Sequence, residues 1–137
     1  MHSARVLWAG GCLVALLMLV GCGDSRMARV HGTVKVNGQP VQEGAISFYP
    51  KDGKSKTTGG EIKDGHNSVE VPVGLMKVVI SEPKGTGKKK KIYPKEGSPE
   101  VEQKTEGLPP RYSDINRSAL ELEVKPGDNP KDWDLKK

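Results

Sequence analysis

The sequence predicts an all-β protein, a seven-stranded antiparallel β-sandwich of about 100 residues behind a removable leader. Three observations carry this. Short segments alternate apolar and polar residues with period two, as in Val30–Val36 and Ala119–Val124. Hairpin dipeptides, Asn37-Gly38 and Asp64-Gly65, stand between such segments. No 3.6-residue apolar period follows residue 22.

The leader comes first. A start with one basic residue, Arg5, runs into an apolar stretch from Val6 to Val20. That is the layout of a secretory signal. At about 15 residues, with Gly10 and Gly11 inside it, the stretch is short of the roughly 20 that a membrane span needs. It ends in Leu19-Val20-Gly21-Cys22, and no Ala-x-Ala site is present. The quartet resembles the bacterial lipobox. That resemblance implies a lipoprotein signal peptide over 1–21 and an acylated (palmitate-bearing) Cys22 as the new N-terminus. Two acyl chains hold a protein stably where one holds it marginally, at about 0.8 kcal/mol per buried methylene. The expected partner is therefore a membrane, reached through a lipid anchor. The expected place is the cell envelope, facing the periplasm or the exterior. Gly23-Asp24 leaves open which membrane holds it.

Residues 22–29 read as the lipidated N-terminus and a short polar tether, which an extended chain stretches to about 25 Å. Val30, Val34 and Val36 share one face of the first strand, against His31, Thr33 and Lys35. Asn37-Gly38 turns the chain, and Pro40 keeps the returning strand short or at an edge. Ala45–Tyr49 is a strand with Ile46 and Phe48 inward. Residues 50–60 form a polar loop. Residues 61–63 and 68–71 flank the Asp64-Gly65 turn. Leu75–Ser81 is a central strand, with Met76, Val78 and Ile80 on one face and Val79 on the other. Residues 83–110 form a long basic insertion without periodicity, expected as an extended loop with a short hairpin arm around Ile92 and Tyr93. Leu120, Leu122 and Val124 point inward from the next strand. Pro126-Gly127-Asp128-Asn129 is a turn by composition. Residues 131–136 close the domain, with Trp133 and Leu135 inward and Asp132 and Asp134 outward.

The two ends of this domain carry a family resemblance. Its opening is Val30-x-Gly32-x-Val34, then Gly38-x-Pro40-Val41, Gly44-Ala45 and Phe48. Its close is Leu122-x-Val124-x-Pro126-Gly127-x-Asn129 with Trp133 and Leu135, and Pro72-Val73-Gly74 stands between. Together these resemble the carboxypeptidase regulatory-like domain, a transthyretin-type (prealbumin-like) sandwich found in small envelope lipoproteins. The resemblance covers about Arg29 to Lys137, apart from the stretch Pro83 to Leu108. It implies a Greek-key sandwich serving as a non-catalytic module that stabilises neighbours, binds carbohydrate or mediates contacts. Fold-level analogy is a weak warrant for activity.

Composition narrows the chemistry. The chain carries a formal net charge of +5, and loss of Arg5 with the leader leaves +4. That balance suits anionic headgroups or acidic polymers. No nucleic-acid-binding motif appears. Of the two cysteines, Cys12 leaves with the leader and Cys22 carries lipid, so no disulfide is expected. An immunoglobulin domain lacks its Cys…Trp…Cys arrangement here. Ureide hydrolases of related fold end in Tyr-Arg-Gly-Ser, whereas this chain ends Asp134-Leu135-Lys136-Lys137. An intradiol-type iron site needs a His-x-His pair, and His31 and His66 lie far apart. Gly85-Thr86-Gly87-Lys88 has the wrong flanks for a phosphate loop. Asp128, Asp132 and Asp134 lack calcium-loop spacing, and no Gly-x-Ser-x-Gly elbow occurs. The reading is therefore no enzyme, with a small hydrolase as the remote alternative, and no metal or cofactor.

Two sets of contact residues remain. Lys84, Lys88, Lys89, Lys90 and Lys91 are candidates for an anionic surface, although a charge run is ordinarily a solvated loop tip. Tyr93 and Tyr112 are the candidates for a carbohydrate-binding module of the cell surface, since Trp133 and Phe48 fit the core better. The expected function is a membrane-anchored structural or adhesive module whose partner is an envelope polysaccharide or protein. Its oligomeric state is open.

Overall fold

The computed structural model describes residues 26–137. The leader and Cys22 lie outside the described residues. The strands are β1 (Met27–Val36), β2 (Gln39–Pro40), β3 (Glu43–Pro50), β4 (Thr58–Lys63), β5 (His66–Pro72), β6 (Gly74–Ser81), β7 (Pro83–Lys91) and β8 (Glu100–Glu106). A one-turn helix, α1 (Pro110–Ser113), is followed by β9 (Leu120–Val124), β10 (Asp128–Pro130) and β11 (Trp133–Leu135). The protein is thus all-β.

Seven strands form one curled sheet in the order β10-β1-β5-β4-β3-β6-β9. Its two outermost strands, β9 and β10, are consecutive in the chain, joined by residues 125–127. Neighbours within it run antiparallel, with one exception at β10. β1 is shared between two sets of partners. Its first half pairs with β5 and, in parallel, with β10. Its last three residues pair in parallel with β11, and the last two of them antiparallel with β2. Expected as seven antiparallel strands, the domain has eleven, two of them parallel to β1. The extra pairings arise because residues 128–135 run alongside β1, where a turn and a single last strand were expected.

Period-two burial builds the core. Ala28, Val30, Val34 and Val36 line the inner face of β1. Ile46 and Phe48 of β3 lie opposite Ile80 and Val78 of β6, all four fully buried. Each such side chain contributes about 1.5–3 kcal/mol of transfer free energy. Met76 is buried beside them, and Val79 on the far face of β6 is half-buried. Leu120 and Leu122 pack at the rim of this core, and Val124, Trp133 and Leu135 are inside it.

The turns follow their residues. Asn37 and Gly38 have φ of 50° and 80°, and Asp64 and Gly65 have 50° and 79°. Both pairs therefore take the left-handed conformation a type I′ hairpin requires. Gly32 is needed for a different reason. A Cβ there would stand 2.0 Å from the Lys131 carbonyl oxygen, so only glycine lets the β10–β11 connection lie against β1.

The sheet has two poles. At one, Val73 N–H donates to Arg26 C=O (2.9 Å), Met27 stands opposite Pro72 and Gly74 opposite Val124. At the other lie Val36, Asn37 and the C-terminal residues. There Asn37 N–H donates to Leu135 C=O (2.8 Å) and Lys137 N–H to the Asn37 side-chain oxygen (3.0 Å). β1 and β6 both run from the first pole to the second. The insertion leaves the body at the second pole, directly after Ser81.

Candidate functional site: the basic ribbon

The insertion is an ordered two-stranded ribbon, β7–β8. This corrects the expected extended loop. A hairpin arm was expected only around Ile92 and Tyr93, whereas strands fill Pro83–Lys91 and Glu100–Glu106 and residues 92–99 make the tip. The pairing rests on backbone and side-chain hydrogen bonds in place of apolar packing. Lys89 stands opposite Glu102 and Lys91 opposite Glu100, cross-strand neighbours of opposite sign. The register shifts between Gly85 and Lys89. There Gly87, at φ 74°, directs its N–H to a Glu102 carboxylate oxygen (3.0 Å), and Thr86 Oγ1 donates to Gln103 C=O (3.0 Å). At the tip, Ile92 N–H donates to Pro99 C=O (3.0 Å) and Tyr93 N–H to Ser98 Oγ (2.9 Å).

The foot is fixed to the body. The Glu106 carboxylate accepts the N–H groups of Glu82 and Leu108, each at 2.9 Å. Gly107 N–H donates to Glu82 C=O (2.8 Å), and Leu108 is buried in the core. The Glu82 carboxylate is half-buried between the ammonium groups of Lys84 (3.6 Å) and Lys137 (4.0 Å). Beyond the foot every residue of both strands is exposed. A groove of about 460 Å³ between Glu43, Glu61, Lys63 and Pro83 flanks one side of the root. A smaller one of about 250 Å³, between Asn37, Lys84 and Lys137, flanks the other.

The five lysines named from sequence thus fall on one strand. Lys84 belongs to the foot, and Lys88, Lys89, Lys90 and Lys91 stand in the outer half of β7. These four form no ion pair among the described residues. Across Pro83–Glu106 there are seven lysines and four glutamates, so the ribbon carries a net +3. Val101, opposite Lys90 and about half exposed, belongs to the same surface and was missed. The signal for it was the sequence Glu100-Val101-Glu102, which complements the lysine run at hairpin distance.

The two tyrosines are not brought together as one platform. Tyr93 stands open at the ribbon tip, 65% exposed. Tyr112 lies in α1 beyond the foot and packs at the core rim. Its hydroxyl donates to Lys136 C=O (3.1 Å) and accepts from Lys136 N–H (3.2 Å). The Arg111 guanidinium, 4.9 Å above the Tyr112 ring centre, also donates to Lys136 C=O. Donation from Lys136 N–H, with Arg111 adding to it, holds the phenol below its ordinary range. Tyr112 therefore clasps the C-terminal strand to α1.

Other polar side chains are also engaged in holding the fold. One Asp132 carboxylate oxygen accepts both Thr33 N–H (2.9 Å) and Thr33 Oγ1–H (3.0 Å), joining the β10–β11 connection to β1. These two donors hold its carboxyl below the usual carboxylate range. Buried Asn129 accepts Lys125 N–H (2.8 Å) and donates to Lys125 C=O (2.7 Å), closing the turn before β10. Ser118 Oγ donates to Val78 C=O. Among the described residues no three His, Cys, Asp or Glu side chains converge as a metal would need.

No family model and no curated protein matches the chain. Among solved structures it is similar to a 9R-lipoxygenase from Cyanothece PCC8801, at 9% identity and a TM-score of 0.37. The match covers 81% of this chain and 16% of the lipoxygenase, and a likeness of that size carries no argument about fold or activity.

Proposed function

We propose that this is a non-catalytic, membrane-anchored envelope lipoprotein acting as a structural or adhesive module on a transthyretin-type, Greek-key sandwich. Cys22 carries the lipid and the domain presents the basic ribbon. The observation that supports an interaction role most is the ribbon itself, about 23 Å of paired strand at some 3.3 Å per residue of β8, with every residue exposed. A lone two-stranded ribbon is marginal in water without further packing. Such an element is better explained by an external contact than by the stability of the body. Meanwhile Asp132, Asn129, Ser118 and Tyr112, the body's chemically versatile side chains, are engaged in joining strands.

The anchor is tested by expressing the full chain in bacteria with labelled palmitate. Wild type takes up label and floats with membranes, and Cys22→Ser loses both. An unlabelled wild-type chain contradicts the reading. The adhesive role is tested by sedimenting the protein with envelope polysaccharide and with anionic and neutral vesicles across a salt series. Wild type is retained on a partner and the Lys88–Lys91 to Ser variant is not. Equal retention of both excludes the ribbon lysines.

A further inference from the structure

The poles of the sheet decide where the ribbon is rooted relative to the tether. The tether enters at the pole of Met27, Pro72 and Gly74. The ribbon is rooted at the opposite pole, after the eight residues of β6 and level with the end of the ten-residue β1. Its strands pair with each other and do not lie back along the body. Four residues separate Cys22 from Met27, at most about 14 Å of extended chain. On the anchored reading above, the lipid therefore lies at one pole and the ribbon starts from the other, about 33 Å away along the ten residues of β1.

The chemistry of the tip is mixed. Ile92 and Tyr93 are 48% and 65% exposed, and Val101 is 49% exposed. Opposite Val101 stands Lys90, with Ile92 two residues beyond it on the same face, and Lys88 precedes them at the register shift. On the other face Lys89 and Lys91 stand opposite Glu102 and Glu100 in register, so the net charge there is smaller. The tip residues themselves add Lys95 and Glu96, which cancel. Unpaired lysines beside open aliphatic and tyrosine side chains match the boundary of an anionic bilayer. Ammonium groups reach the headgroups there while apolar groups enter the acyl edge. A glycan would want an aromatic platform, and Tyr93 is the ribbon's single aromatic residue.

We infer that the ribbon tip docks onto a second anionic lipid surface, facing the membrane that holds Cys22, so that the protein bridges two bilayers. This rests on the lipid-anchor reading. Removing one lysine is expected to weaken docking about fivefold, since each is worth about 1 kcal/mol near an anionic surface.

The test uses the full lipidated chain reconstituted in phosphatidylcholine vesicles, to which phosphatidylglycerol vesicles are added. Clustering seen by light scattering is expected. It should fade with salt, fall about 25-fold in effective affinity for K88S/K90S, and be lost in I92S/Y93S with the melting temperature unchanged. Protein that floats with its vesicles yet clusters nothing overturns the inference, as does clustering that survives both variants. Capture by acidic polysaccharide in place of phosphatidylglycerol vesicles also overturns it. If the chain does not float with its own vesicles, the anchor reading fails instead. Direct sedimentation with phosphatidylglycerol vesicles then decides the tip: binding lost in I92S/Y93S supports it, and no binding overturns it.

Discussion

Two residues join the N-terminal strand to the C-terminal strands. Gly32 leaves room for the Lys131 carbonyl, and Asp132 ties Thr33 to the same connection. Gly32→Ala is expected to destabilise the fold by about 1–3 kcal/mol or more, because the added carbon meets backbone that cannot swing aside. Urea unfolding at neutral pH measures it. Asp132→Asn is expected to lower the melting temperature at pH 7. Because the folded carboxyl titrates below its unfolded value, its contribution is present above about pH 4 and is lost as pH falls through the folded pKa. The gap between wild type and Asp132→Asn should therefore close as the pH is lowered below about 4. A gap that stays constant over that range would show that the carboxylate is not the group at work. The outward position of Asp132 was legible from the alternation around Trp133. Its bond to Thr33 was not, because it joins residues 99 positions apart.

The strands of the body and the strands of the ribbon obey different rules. In the body, apolar alternation marked β1, β3, β6 and β9, and two dipeptides marked the tight turns. Phe48→Ala, at the fully buried centre of β3, should cost about 3–5 kcal/mol. In the ribbon there is no buried face, so periodicity had nothing to report, and Pro, Gly and Lys suggested a loop. What holds β7 to β8 is the backbone ladder and a few side-chain bonds to backbone, with lysine opposite glutamate, a pattern that shows only once the two strands are aligned. β10 was hidden for a related reason: Asp128-Asn129-Pro130 has turn composition and pairs in parallel with a strand 99 residues earlier. Replacing Lys84–Thr105 by a short Gly-Ser turn should move the melting temperature of the body by no more than a few degrees, since the excised strands reach none of the core. A large loss of stability in calorimetry would mean that the ribbon is part of the fold.

At the level of the whole molecule, the order of strands turns a sequence insertion into a direction. β1 and β6 carry the chain from the tether to the far pole, and the basic ribbon starts there. Exposed apolar side chains gather at both ends, Met27 and Leu75 at the first, Ile92, Tyr93 and Val101 in the ribbon. This polarity was not legible in the sequence, where the end of the tether at Arg29 and the start of the insertion at Pro83 are simply 54 positions apart. On the proposed lipid anchor at Cys22, the decisive measurement is fluorescence quenching of the full chain on vesicles that carry a quencher in their bilayer. One fluorophore is placed at Leu75→Cys and another at Lys95→Cys. A protein anchored at one pole and extending its ribbon from the other gives strong quenching at position 75 and little at position 95. Equal quenching at both, or stronger quenching at 95, would show the ribbon lying on the anchoring membrane and would contradict the account.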